Sequence, residues 1–457
     1  MRTTAKQILF PMLGVACDLG HHDIYPRETR AYPSPFAANV RGRCAIERRL
    51  RGGSRPGMAV VELDGSSATG VWRWANGSPI LWPDGREITY LAEQGVKAPD
   101  GSMVIDLHAL PRIAASKGNA PSGVSVATLY RARVFAASGA SWFCSRLGDE
   151  ADWDYGAEMG DVARACSGNV SFAGRKGDDI TAFMPVGDSY LYIATHRSLW
   201  CISGDPADGT MACVSPEIGV SGPSAWCWDG ARVYFMNDKG LFVVTPGNAP
   251  IRLSSSFLDM RGTAATFMIH DPEENAVHAF GVSAMSNDGD ESWFMELESE
   301  KPAFWPMSFL VGKEPVATRR LTVNGIDKAA FVCADGKCRV FSRAVPCEMP
   351  SCVAIGPFRV SDSDDTDGFL AELHVTSAAG SQPITATLFT GHSAEEAEHR
   401  AVDGTGGIAF DFTAGWNAVW RPRRRGAWAV VVLNCAEGAW AFEAMRAVLR
   451  HTGRLRP

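Results

Sequence analysis

The groups in this 457-residue chain that could do chemistry are its cysteines, its histidines and two clusters of arginines, and their spacing limits what they can do. Cys333, Cys338, Cys347 and Cys352 form two pairs with four residues between the members of each, a separation that a tetrahedral zinc site tolerates. A hairpin explains the first pair without metal. Ala334-Asp335-Gly336-Lys337 is a turn sequence, so Cys333 and Cys338 are expected to face each other across two strands as free thiols. Cys144, Cys201, Cys227 and Cys435 lie inside apolar runs, where a thiol behaves as a small hydrophobe. The ten histidines are scattered, with only His21 and His22 adjacent. The chain has no GxSxG elbow, no HExxH, no CxxC and no Walker A loop, and Gly52-Gly53-Ser54-Arg55-Pro56-Gly57 lacks the lysine and following helix of a phosphate loop. No catalytic residue, metal or cofactor is expected, and the chain is read as a non-enzyme.

The arginines lie in two clusters, Arg48, Arg49, Arg51 and Arg55 near the start and Arg421, Arg423, Arg424 and Arg425 near the end. A net charge of −7 excludes a protein that grips nucleic acid with its whole surface, which needs clustered cations throughout. Both clusters are therefore expected to contact neighbouring subunits. The opening MRTTAKQILFPMLGVACDLG imitates a signal peptide, but Pro11, Gly14 and Asp18 interrupt it. No segment approaches the ~20 consecutive apolar residues of a membrane span. The expected site of synthesis is the cytoplasm.

The elements that position these groups are strands. Gly (46) and Pro (26) together approach one residue in six, and the apolar runs between them are mostly short, which reads as strand and turn. Hairpin signals recur at Asp84-Gly85, Ser138-Gly139, Thr195 to Arg197, Asn237 to Gly240, Asn287-Asp288-Gly289 and Asp335-Gly336. Their centres are about 54, 57, 42, 50 and 48 residues apart, close to the repeat of propeller blades. Six hairpins predict about six blades of four strands each. Gly139, Gly240 and Gly336 are expected to supply positive φ at three of the turns. Tyr190, Leu191, Tyr192 and Ile193 leave no polar face, as strands covered on both sides would. Paired β-sandwiches are the competing architecture, although their strands would more often show a polar side. Asp152 and Asp154 are expected to tie a blade edge to backbone while Trp153 packs on the next blade.

The predicted fold class is therefore all-β, in three parts. Residues 1–56, punctuated by Pro26, Pro33, Pro35 and Pro56, read as a mostly irregular N-terminal arm that buries itself against a partner subunit or the domain. Residues 57–345 read as the β-propeller. Residues 346–457, with alternating segments such as AELHVTS, ITATLF and AWAVVVLN, read as a β-rich sandwich or jelly-roll-like domain.

Residues 131–156 (RARVFAASGASWFCSRLGDEADWDYG), 178–206 (DDITAFMPVGDSYLYIATHRSLWCISGDP) and 216–247 (PEIGVSGPSAWCWDGARVYFMNDKGLFVVTPG) resemble successive blades of phage tail and virion propeller proteins. Residues 37–58 and the closing stretch from RPRRRGAWAVVVLN to HTGRLRP resemble the two ends of that group. The layout is similar to the tail nozzle, or tail hub, proteins of short-tailed bacteriophages. That resemblance implies a structural virion protein, assembled in the bacterial cytoplasm as a homo-oligomeric ring, a hexamer by expectation. Such a ring would extend the DNA-ejection channel below the portal and adaptor, pass double-stranded DNA without specific binding, and dock fibre, spike or needle proteins, with the host envelope at its distal face. The resemblance supplies no catalytic residues.

Two readings of another class compete, a carbohydrate- or cell-surface-binding propeller and a sialidase-like glycoside hydrolase. Ser286 to Trp293 is a near-miss to the Asp-box turn of sialidase-like propellers, with Asp290 where that turn needs glycine. A sialidase would also need clustered arginines and a tyrosine nucleophile with a glutamate partner, and no spacing announces that set.

Overall fold

The computed structural model describes residues 2–455 except 17–31, 48, 62–68, 72–88, 92–94, 98–114, 157–159, 173–176, 255–257, 285–289, 298–301, 324–325, 336, 362–365 and 414–416. Among these residues the chain is all-β apart from one α-helix. Runs rich in Val, Ile, Phe, Tyr and Trp pair as antiparallel strands because β-branched and aromatic side chains suit a pleated surface packed on both sides.

Five four-stranded antiparallel sheets dominate the molecule. Sheet I holds Val126–Tyr130, Arg133–Ser138, Ser141–Cys144 and Cys166–Asn169; sheet II holds Ile180–Val186, Tyr190–Thr195, Leu199–Ser203 and Thr210–Ser215. Sheet III holds Trp226–Trp228, Val233–Asn237, Gly240–Val244 and Ile251–Arg252; sheet IV holds Met260–Asp271, Ala276–Ala284, Asp290–Glu296 and Ala303–Met307. In each of these four the strands pair in chain order. Sheet V adds Pro315–Val323, Ile326–Cys333 and Cys338–Ser342, and its fourth strand is Gly57–Val60, from the far end of the segment. A three-stranded sheet of Thr69–Val71, Thr89–Leu91 and Gly95–Lys97 follows that strand directly. A strand from the start of the series thus completes the last sheet, an arrangement consistent with a β-propeller.

The strand Tyr190–Thr195 shows why the sheets stack. Its Tyr192 and Ala194 pack with Val233, Phe235 and Phe242 of sheet III, while Leu191 and Ile193 pack with Val126, Phe135 and Trp142 of sheet I. Side chains alternate between the two faces of a strand, so a strand covered on both sides has no position left for a polar residue. Burying each of these large side chains contributes about 1.5–3 kcal/mol, which a lone sheet exposed on one face would forgo.

Two five-stranded sheets complete the fold. One joins Arg2–Ile8, Phe442–Leu455, Thr366–Ser377 and Asn417–Trp420, with Arg424–Gly426 also paired to Thr366–Ser377. The other runs Ala37–Ala38, Ser351–Arg359, Trp428–Cys435, Ile384–Gly391, Ile408–Phe412. Leu373, Val375, Met445 and Leu449 of the first share a core with Val353, Ile355, Val431 and Leu433 of the second. The opposite face of Trp428–Cys435, at Trp428, Val430 and Val432, lies under α1 (Ala394–Asp403) through Ala394, Ala397 and Ala401. Ser393 caps α1 by accepting from Glu396 N at 3.0 Å, and Gly404 at φ 67° ends it.

The N-terminal stretch departs from the irregular arm expected of it. Arg2–Ile8 pairs in register with Phe442–Leu455, Ala37–Ala38 pairs with Ser351–Arg359, and Val40–Arg43 forms a hairpin with Leu50–Ser54. Phe10 places its ring 6.0, 6.5 and 5.7 Å from those of Trp305, Trp440 and Phe442. The segment had to bury its apolar side somewhere, and it does so inside its own chain. The prolines dominated the sequence reading, but Thr4, Lys6 and Ile8 alternate as a sheet-edge strand requires.

Candidate functional site

The hairpin turns of sheets II and III and the links between sheets I to IV meet at a cavity of about 790 Å³, lined by Asp178, Asp179, His196, Arg197, Asn237 and Asp238 with Ser221 and three small residues. Its walls are fixed by hydrogen bonds one layer beneath. Thr195 Oγ1 accepts from the backbone N–H groups of Arg197 (3.1 Å) and Ser198 (2.9 Å), a tight turn that leaves His196 and Arg197 exposed. Asn237 Oδ1 accepts from Lys239 N at 2.8 Å and its Nδ2 donates to Gly219 O at 3.2 Å, which presents Asp238. The link 216–225 then stitches three sheets together. Val220 N donates to Thr195 O (2.8 Å), Ser221 N to Met236 O (3.0 Å) and Ser221 Oγ to Gly262 O (2.9 Å), while Thr181 Oγ1 donates to Val220 O (2.8 Å). Gly219 is required for this closeness, since a Cβ there would stand 2.0 Å from Thr195 O.

The cavity is within the volume range of small-ligand sites, yet its lining includes no Phe, Tyr or Trp and the buried polar groups beneath it are engaged with backbone. Among the described residues no three His, Cys, Asp or Glu side chains gather closely enough to hold a metal ion. His196 has no side-chain hydrogen bond to a serine or cysteine there. The arrangement presents charged and hydrogen-bonding groups of both signs around the cavity.

The two arginine clusters end in opposite environments. Arg55 is 3% exposed; it donates to Asn39 Oδ1 (2.9 Å), Ser308 O (2.7 Å) and Pro56 O (3.1 Å), with its guanidinium against the Phe309 and Phe341 rings. Arg51 pairs with Glu443 and Glu47, Arg49 with Glu47, and Arg48 lies outside the described residues. The expectation that this cluster faces a neighbouring subunit is thus corrected for Arg55, a core residue that ties the N-terminal stretch to sheet V and to the link between sheets IV and V. At the other end, Arg421 pairs with Glu372 at 3.0 Å, whereas exposed Arg423, Arg424 and Arg425 have no ion pair among the described residues. Phe369 stands opposite both Arg425 and Arg450, and His374 opposite Arg446. Met445, Ala447 and Leu449 point inward, so Arg446 and Arg450 point out. Arg425 and Arg450 therefore flank Phe369 on one sheet face, roughly 10 Å apart at strand spacing.

The cysteines and turn residues fall as follows. Cys338 pairs in register with Val332, and Cys333 packs in a different cluster, so the two thiols do not face each other as expected. Cys333 ends its strand at the turn, where its N–H donates to Lys337 O at 3.0 Å. Cys347 is buried and Cys352 partly so. Gly139 (φ 59°) lies in the turn between Ser138 and Ser141, and Gly240 (φ 126°) opens a strand against Ser254; Gly336 lies outside the described residues, as do the turns at 84–85 and 287–289. Asp152 and Asp154 each accept from the backbone N–H two residues on. Trp153 is fully buried, packed against Val134 and Ala136 of sheet I rather than against sheet II. Asp152–Trp153 pairs in parallel with Lys117–Gly118 in a separate two-stranded sheet.

A buried charged group that sequence reading missed joins the N-terminal stretch to sheets IV and V. Arg41 is enclosed between Phe294 (3.8 Å) and Phe341 (4.4 Å), and burial lowers its pKa to about 10, so it stays charged near neutrality. His278 is fully buried with its Nε2 3.5 Å from Asp271 Oδ2, and burial holds its pKa below the usual histidine range. Burial pushes Asp271 up, but the His278 hydrogen bond and the nearby charges of His278 and Arg41 outweigh it and leave the carboxyl below its ordinary range. Glu274, also buried, pairs with Arg343.

No protein-family model matches the chain, and no curated protein does. Among solved structures it is similar to the AfRom2 CNH domain (11% identity, TM-score 0.24, covering 62% of this chain and 97% of that one) and to the N-terminal domain of Nup159 (8%, 0.27, 74% and 95%). A structure described as a glycoside hydrolase is similar at 8% identity and TM-score 0.19, covering 71% and 83%. At these scores none of the three bears on function, and the fold rests on the strand pairing itself.

Proposed function

We propose that this chain is a structural protein of a bacteriophage tail, a nozzle or hub that assembles as a homo-oligomeric ring beneath portal and adaptor proteins. In this reading sheets I to V and the three-stranded sheet are six propeller blades, closed by Gly57–Val60, and the two five-stranded sheets form a β-sandwich built on 346–457. The observation that carries the reading is where the phage-like segments fall. Residues 131–156, 178–206 and 216–247 each supply the central hairpin of one of three successive sheets, I, II and III. The likeness is thus to repeating architecture, and it brings no catalytic set with it. The uncompensated Arg423, Arg424 and Arg425, on a chain of net charge −7, are the side chains proposed to meet a neighbouring subunit or the adaptor. Double-stranded DNA would pass without specific binding, fibre, spike or needle proteins would dock on the outer surface, and the protein would reside in the virion after assembly in the bacterial cytoplasm. Electron microscopy of purified particles tests this: a ring of this chain around a central channel is expected, and its absence from particles would overturn the reading.

A second reading, a carbohydrate- or cell-surface-binding protein, is favoured by one observation, the polar cavity with Asp178, Asp179, Asp238 and Asn237 on its walls. Glycan-array binding abolished by Asp178→Ala with Asp238→Ala would support it. Turnover of a sialoside by the purified protein would instead support a hydrolase.

A further inference from the structure

Sheet I carries two cysteines that no role discussed so far uses. Cys144 ends the strand Ser141–Cys144 and Cys166 begins the outer strand Cys166–Asn169; they are register partners, and their sulfurs lie 3.0 Å apart. Directly opposed residues on antiparallel strands bring their Cβ atoms about 4.5–5.5 Å apart, close to the separation a disulfide spans. The two are not alike. Cys144 is fully buried, beside Phe135 and Trp142, whereas Cys166 is only partly covered. Beneath them the Arg133 guanidinium is fully buried, donating to Asp205 and to the carbonyls of Ser145, Ala163, Arg164 and Val162. The two sulfurs share a hydrogen bond. That contact pushes Cys144 up and, with the Arg133 charge, holds Cys166 below the usual thiol range despite the opposing effect of burial.

We propose that Cys144 and Cys166 form a redox-active dithiol that closes to a cross-strand disulfide when the protein meets a small-molecule disulfide such as oxidised glutathione. The less buried partner reacts first. The Cys166 thiolate attacks one sulfur of oxidised glutathione, forming a mixed disulfide and expelling glutathione thiolate, which takes up the proton that Cys166 gave to solvent. Cys144 then loses its proton and attacks the Cys166 sulfur, releasing a second glutathione. The dithiol has given up two electrons and two protons, and oxidised glutathione has become two thiols. The product would clamp the outer strand of sheet I to its neighbour and enclose the segment between them, which holds the Arg146–Asp161 ion pair and Trp153. The pair would stay open wherever thiols are kept reduced, and the bond would form on meeting an oxidising environment, locking the edge of the sheet at that stage. The inference stands on sheet I alone and holds whether or not the chain belongs to a phage tail.

The test uses the full-length protein, reduced and then exposed to oxidised glutathione, alkylated and digested for mass spectrometry. The expected product is a peptide pair bridged through Cys144 and Cys166, with a rise of a few degrees in the melting temperature that dithiothreitol reverses. Exposed Cys213 serves as the internal standard for oxidant access. In Cys144→Ser, Cys166 should stop at the glutathione adduct; in Cys166→Ser, Cys144 should stay unmodified. If Cys213 is fully modified in the wild-type protein while Cys144 and Cys166 remain as separate thiols, the proposal is overturned, and this result needs no variant to fold. An adduct forming on Cys144 in Cys166→Ser would equally overturn the assigned order of attack.

Discussion

The two arginine clusters read alike in the sequence and differ in what surrounds them once the chain folds. Around Arg55 the backbone passes through Gly52, Gly53 and Gly57, whose lack of side chains lets it run against Phe10, Trp440 and Pro346. That close passage carries Arg55 inward, where three acceptors and two aromatic rings satisfy it. Arg423 to Arg425 have the opposite setting, a bend at Arg423 (φ 50°) followed by a three-residue strand on a sheet face. An arginine-rich stretch is therefore accessible to an external partner only when its backbone lies on the rim of the fold.

The comparison breaks most visibly at Arg55. Arg55→Ala should cost roughly 2–4 kcal/mol in urea unfolding, because it leaves Ser308 O without its donor and removes a buried side chain. A loss no larger than that of a surface substitution would mean that the N-terminal stretch is held without it. Next comes Gly219→Ala, expected to cost about 1–3 kcal/mol, since the new methyl collides with Thr195 O and disturbs the link that frames the cavity. An unchanged unfolding midpoint would show that this link gives way freely.

The pH dependence sharpens the same contrast between buried and exposed charge. His278 is neutral in the folded protein below the pH at which an ordinary histidine charges, so the unfolded chain binds that proton first as pH falls. Its contribution to stability is present above the ordinary histidine range and lost as pH drops through about 6.5. Asp271, also depressed, adds a loss in the same direction at lower pH. Melting temperatures from pH 7.5 to 5.5 should fall less steeply in His278→Gln than in the wild type, and equal slopes would remove His278 from the account. Smallest in its effect on the fold is Arg423→Glu with Arg424→Glu, expected to stay within about 0.5 kcal/mol of wild-type stability because both side chains are exposed and unpaired.

Much of sheets I to III was legible from turn chemistry. Ser138-Gly139, Thr195 to Arg197 and Asn237 to Gly240 are local signals, and each does join two paired strands. What escaped needed information from distant chain. Nothing in RTTAKQI names Phe442–Leu455 as its partner, and a sequence separation of 22 hides the pairing of Cys144 with Cys166. Two signals were present and passed over. Ser393 followed three residues later by Glu396, with Gly404 beyond, announces α1, and the alternation Met445, Arg446, Ala447, Val448, Leu449, Arg450 separates an inner from an outer face. The cavity was out of reach, since its walls come from turns and links of several sheets that only stacking brings together.

The most direct measurement is the assembly state of the purified full-length protein, by light scattering and negative-stain microscopy, for the wild type and for Arg423→Glu with Arg424→Glu. Closed rings with a central channel are predicted for the wild type, and folded protein that no longer forms rings for the variant. Neither should hold duplex DNA at physiological salt. A wild-type protein that remains monomeric at concentrations far above those in an assembling cell would contradict the account. So would rings that bind DNA tightly, with a steep salt dependence that the same two substitutions abolish, because the arginines would then line the channel instead of joining subunits.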